Sequence, residues 1–185
     1  GELETALAQV RGAELEGTSP ETVVAPLLPE GTRLKGARVK RTAEGVFGST
    51  VWTLRNGVRV VVKPTDFMTD QVCLYARVPG GRSLLSDEEM LAAQVLDYYI
   101  GQTGVAESDA ALLRKQLAGK TVRCWPGTGA YENGFSGTSS PKDVETLLQL
   151  VYLYLAQPRF DGETFGVVME QLRHSYRNRT ADPSF

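Results

Sequence analysis

The stretch TVWTLRNGVRVVVK, residues 50–63, decides the fold class. Two β-branched runs, Thr50 to Leu54 and Val58 to Lys63, flank Arg55-Asn56-Gly57. Asn-Gly between such runs is the strongest short hairpin signal, because both positions accept positive φ. The next run, Gln71 to Val78, alternates. Val72, Leu74, Ala76 and Val78 share one face and Cys73, Tyr75 and Arg77 the other, the pattern of a half-buried strand. Pro79-Gly80-Gly81 ends it.

Helical periodicity follows. Ser86 with Glu89 three residues on forms a capping box, in which each side chain satisfies an orphan backbone donor. It predicts a helix from Asp87 to Ile100, ended by Gly101. A second helix is predicted from Ser108 to a stop at Gly119. Lys120 to Trp125 reads as a strand, and Gly127 to Ser139 as a Gly-rich strand or loop. Ser140-Pro141-Lys142-Asp143 opens a third helix with N-cap Ser, Pro at N1 and an acid at N3. Its body, Val144 to Leu155, is apolar almost all round, which predicts deep burial up to Pro158. A fourth helix, Asp161 to Arg177, carries Phe165, Val168, Met169, Leu172 and Tyr176 on one stripe and is predicted to lie on the sheet by that face. The order predicts an α+β domain, a mostly antiparallel sheet with helices packed on one face. No repeat of 20–50 residues shows.

Working outward, Glu2 to Glu16 reads as a polar helix with a thin stripe of Leu3, Leu7 and Val10. From Thr18 to Lys40 proline and glycine accumulate, which predicts an extended, irregular segment. Residues 1–40 are therefore an approach segment, and 41–185 the domain.

The chain has 185 residues, with 20 Lys+Arg against 22 Asp+Glu and a net charge of −2. That balance argues against a phosphate-tracking nucleic-acid binder. Hydrophobic residues at 42% and charged residues at 23% exclude a disordered chain. No apolar run reaches the ~18 residues of a membrane span, and no signal-peptide pattern opens the sequence. There is one histidine, His174, and two cysteines, Cys73 and Cys124. One histidine excludes every zinc-hydrolase motif built on two.

Other chemistry is weighed against simpler readings. The glycines from Gly127 to Gly137 do not open a helix directly, so strand and turn is the expectation over a phosphate cradle. His174, between Arg173 and Arg177, reads as a surface residue. Cys73, Cys124 and His174 lack the local spacing of a metal site. Two reduced thiols are expected over one disulfide, although both cysteines sit on predicted strands that can approach. No Gly-x-Ser-x-Gly elbow occurs. Asn178-Arg179-Thr180 fits a glycosylation sequon. Tyr98, Tyr99 and Trp125 read as core or groove-edge packing rather than a ligand platform. On these residues alone no reaction is assigned.

A resemblance adds to this. Trp52 to Phe67 resembles the opening hairpin of the insulinase/pitrilysin-type zinc peptidases, and Pro79-Gly80-Gly81-Arg82-Ser83 before a helix is similar to the same family. So are Ser136 to Leu155 and Pro158-Arg159-Phe160. The likeness covers about Val46 to Asn178 and is nearest to bacterial zinc proteases of the family. It implies a two-layer domain of the LuxS/processing-peptidase type. The family's inverted motif, HxxEH, supplies two zinc ligands and a water-activating glutamate. The matching positions here are Ala93, Leu96 and Asp97. The further glutamate ligand of the fourth helix should fall near Arg173 to Arg177, where there is no carboxylate; the nearest acid is Glu170. The resemblance therefore implies a domain with no catalytic, metal or cofactor-binding residue, at the start of an inactive C-terminal half. Residues 1–40 become an interdomain helix and linker, and 41–185 a domain truncated at its C-terminus. Zinc is expected in another domain of the parent protein, a metalloendopeptidase. The implied partners are homologous domains of that parent chain and peptide substrate, with no nucleic acid and no membrane span. A bacterial periplasmic or envelope location goes with them. The alternative is a structural or assembly subunit of a peptidase-like complex without proteolytic role.

Overall fold

The computed structural model describes residues 24–179. The helix read at Glu2 to Glu16, and Thr180 of the sequon, lie outside them. Among the described residues six strands form two three-stranded antiparallel sheets rather than one. The first, in the order β1-β2-β3, comprises β1 (Val39–Glu44), β2 (Thr50–Leu54) and β3 (Arg59–Val62). The Asn-Gly hairpin forms, but only Gly57 takes positive φ, at 89°. Gly57 N–H donates to Leu54 O at 3.1 Å, and Val58 N–H to the Asn56 side chain at 3.2 Å. The connection is thus a three-residue loop closed by a left-handed glycine, the other common hairpin solution. β1 lacks an alternating apolar pattern and is almost wholly exposed, so pairing with β2 makes it a strand. It straddles the 40/41 division drawn from composition.

The second sheet has the order β4-β6-β5, from β4 (Val72–Pro79), β5 (Val122–Thr128) and β6 (Glu132–Ser139). Register aligns Leu74, Gly137 and Cys124 across one face. Helices cover that face: a Cβ on Gly137 would lie 2.6 Å from Leu147 Cδ1. The opposite face is open.

α1 (Asp87–Thr103) begins at the expected capping box, with both reciprocal bonds between Ser86 and Glu89 formed. These bonds hold the Glu89 carboxyl below its ordinary value, the Ser86 backbone donor contributing most. The helix passes through Gly101 and stops at Gly104, where φ is 83° and Val105 is fully buried. α2 (Ala110–Gln116) is shorter than expected. Asp109, not Ser108, caps it, because its carboxylate accepts from Leu112 N at 2.7 Å while Ser108 pairs with Val105. A 3-10 turn, Pro141–Asp143, leads into α3 (Val144–Ala156). Asp143 accepts from Ser140 Oγ at 2.6 Å and Thr121 N at 2.9 Å, and these bonds lower its pKa in that order.

α3 corrects the expectation of burial all round. Leu147, Leu150 and Leu153 are buried, each contributing roughly 1.5–3 kcal/mol, while Leu148 and Leu155 stay exposed. α4 (Gly162–Arg179) also departs from expectation. It packs chiefly on α1, because α1 and α3 already occupy the sheet face. Among the described residues the buried apolar core is Ala93, Tyr99, Val105, Leu147, Leu150, Leu153 and Val168.

Candidate functional site

Residues 93, 96 and 97 lie at i, i+3 and i+4, so α1 presents them on one side. Ala93 is buried and Leu96 is 37% exposed. Asp97 is engaged at both carboxylate oxygens. Oδ1 accepts from Thr128 N on β5 at 3.1 Å, and Oδ2 lies 3.9 Å from Arg82 Nη1. The Pro-Gly-Gly turn delivers that arginine. Gly80 N–H donates to Tyr131 O, Arg82 N–H to Gly129 O and Ser83 N–H to Ala130 O, stitching the exit of β4 to the β5–β6 turn. Gly81 has φ 69°, and a Cβ there would meet Glu132 N at 2.5 Å, so only glycine permits the approach.

α4 does come against α1, as a second ligand-bearing helix would. Tyr98 OH donates to Gln171 Oε1 at 3.3 Å, and the Tyr99 and Phe165 rings meet edge to face at 5.7 Å. Yet the motif positions do not hold the donors a zinc site needs. Ala93 and Leu96 have no lone pairs to offer, and Asp97 already has partners. Glu170 is exposed and ion-paired with Arg173, and His174 is exposed on α4. Among the described residues no three His, Cys, Asp or Glu side chains gather as a metal site. The residues at the motif positions do not fit a zinc ion.

The two cysteines are free thiols on opposite faces of the sheet. Cys73 aligns with Thr138 and Cys124 with Gly137, one register step apart, and β6 lies between their strands. They cannot bridge without rebuilding the sheet. Cys73 is exposed, whereas burial pushes the Cys124 thiol up to about 11. The aromatics separate too. Tyr99 is in the core, its hydroxyl donating to Asp161 O at 2.8 Å, while Trp125 stands on the open face, 51% exposed.

Beside Asp97 an open cleft of about 420 Å³ is lined by Arg77, Arg82, Trp125, Glu132 and Ser136 among others. Arg77 and Glu132 form an ion pair across the strands. Sequence reading missed this cleft, although the alternation of β4 already put Tyr75 and Arg77 on its outer face.

No family model matches the chain. A curated relative, "Zinc protease PQQL-like" from Arabidopsis thaliana, is 30% identical over 137 residues, which is 74% of this chain. The chain spans 12% of that relative's length. Among solved structures, the periplasmic protease PqqL from Escherichia coli superposes with a TM-score of 0.78 at 13% identity, over 98% of this chain and 20% of that one. The ferredoxin protease FusC, as a variant in complex with Arabidopsis ferredoxin, gives 0.65 at 19% identity, over 92% and 19%. No helix among the described residues is long and apolar enough to cross a membrane. By identity to its curated relative and by its α+β fold, the chain belongs to the insulinase/pitrilysin-type zinc protease family, as a domain of that family.

Proposed function

We propose that this chain is a non-catalytic domain of a zinc metallopeptidase. It encloses and positions peptide substrate for a zinc-bearing HxxEH domain elsewhere in the parent protein, and homologous domains of the same parent chain are its partners. One observation carries the reading: the motif positions hold Ala93, Leu96 and an Asp97 whose carboxylate is committed to Thr128 and Arg82. A wall domain still contributes to catalysis, by excluding water and holding the substrate in a productive orientation. The ferredoxin complex of FusC supports a protein or peptide substrate. The periplasmic description of PqqL supports a periplasmic or envelope location.

Elemental analysis of the purified chain is expected to give zinc far below one per chain, with no chelator-sensitive hydrolysis of a peptide. Zinc near one per chain, together with such hydrolysis, would overturn the reading. An HxxEH motif is expected in another domain of the parent protein. A parent that lacks it throughout would favour a structural or assembly subunit instead.

A further inference from the structure

The open face of the second sheet carries an aromatic arrangement that no role has yet absorbed. Register pairs Tyr75 with Ser136, and Trp125 with the same Ser136. The two aromatics therefore stand on one face, either side of the central strand, two strand spacings or about 9.6 Å apart. Both are well exposed, Tyr75 at 69% and Trp125 at 51%. Ser136 between them is small and leaves a low floor. A flat ring placed midway would lie over the central strand, between the two aromatics.

Charge fixes what else the face prefers. Two register positions away, on the same face, Arg123 aligns with Thr138 and Cys73. It shares the open face with Trp125, two residues or about 6.8 Å along β5. Among the described residues Arg123 has no carboxylate partner, whereas Arg77 on the other side is neutralised by Glu132. Beyond Trp125 the register aligns Gly127 with Gly134, and a Cβ on Gly127 would meet nothing within 4 Å. The bed next to the tryptophan is thus flat and unobstructed.

We propose that Tyr75 and Trp125 form a clamp for an aromatic side chain of an extended peptide, and that Arg123 receives an Asp or Glu two residues away on it. The residue spacing of an extended peptide matches the distance from Trp125 to Arg123, and the carboxylate answers a cation of this face that has no carboxylate partner among the described residues. The proposal rests on the reading that this domain positions peptide substrate, and it adds a substrate preference: aromatic and acidic at alternate positions.

The test is fluorescence anisotropy of the full chain with a fluorescein-labelled peptide containing Phe-Gly-Asp in a glycine frame. Saturable binding is expected, weakened about tenfold by W125A and by Y75A, and similarly by Leu in place of the peptide's Phe. W125F should retain most of it. R123E should weaken the aspartate peptide and strengthen one with Lys in its place. Circular dichroism confirms that each variant is folded. No saturable binding, or equal binding of Phe and Leu peptides that is unmoved in folded W125A and Y75A, overturns the clamp. Either result leaves the enclosing role standing, because that role falls on zinc content and hydrolysis instead.

Discussion

Cys73 and Cys124 differ by one register step and two strands, and that small offset decides their chemistry. Only a thiolate reacts readily with a disulfide reagent. At pH 8 one thiol per chain, Cys73, is expected to titrate promptly with a chromogenic disulfide. Cys124, with its pKa near 11, should follow only on unfolding. Two fast thiols in the folded chain, or none, would refute the placement. Tyr99 is the second decisive residue. Its hydroxyl donates to Asp161 O and accepts from Asp161 N at 2.5 Å, just ahead of α4. Y99F leaves both backbone groups without that partner and should cost about 1–3 kcal/mol in urea denaturation. The strand alternation already told that Cys73 faces away from the apolar side of β4. What it could not give was the order of strands in the sheet, which puts β6 between the cysteines. The Tyr99–Asp161 bond spans 62 positions and left no local signal.

A helix start was legible where a capping box marked it, because a cap is a local contract between residues three apart. By contrast, Asp109 replaces Ser108 as the cap of α2, and Ser140 makes no side-chain cap bond. The box at Ser86 stands where the pattern put it. S86A should cost about 0.5–2 kcal/mol, read from thermal or urea unfolding. The ends were less legible. Gly101 has a helix-breaking identity, but its cost of ~1 kcal/mol is overridden by the packing of Thr103 and Val105 beyond it. α4 misled for a related reason: its stripe announced a buried face but not which neighbour would bury it. Carboxylates hydrogen-bonded near the helix starts also set the acid response. Glu89, Asp143 and Asp161 are all held below their ordinary pKa, Asp161 chiefly by the Thr164 backbone N–H. A carboxyl with a lowered folded pKa binds fewer protons folded than unfolded. Its stabilisation is complete above the unfolded value, about 4, and is lost as pH falls through the folded value. The urea midpoint should therefore drop below pH ~4, and less steeply in D161N than in the parent sequence. Equal slopes would show that Asp161 is not one of the groups responsible.

At the scale of the whole molecule the core is thin and the apolar surface wide. Among the described residues the buried apolar ones lie on three helices and at Val105, and none on the first sheet. Val61, Leu148, Leu155 and Phe160 are all exposed by more than half. The second sheet leaves β4 and β5 as edges. Unpaired edges and wide apolar patches promote association. Sedimentation should show mass rising with concentration, and L148D/L155D should reduce it. A sharp monomer at all concentrations would argue that these surfaces are inert. The order of strand and helix signals correctly indicated an α+β chain. It could not foresee that six strands would divide into two sheets, since register and sheet order depend on contacts far apart in sequence.

Asp97 sets a structural cost on any metal-binding sequence at these positions. Histidine at this place would forfeit the bond to Thr128 and the approach to Arg82, while histidine at position 93 would have to enter a space fitted to a methyl group. Each step toward a metal-binding sequence would weaken the fold before any new chemistry could reward it.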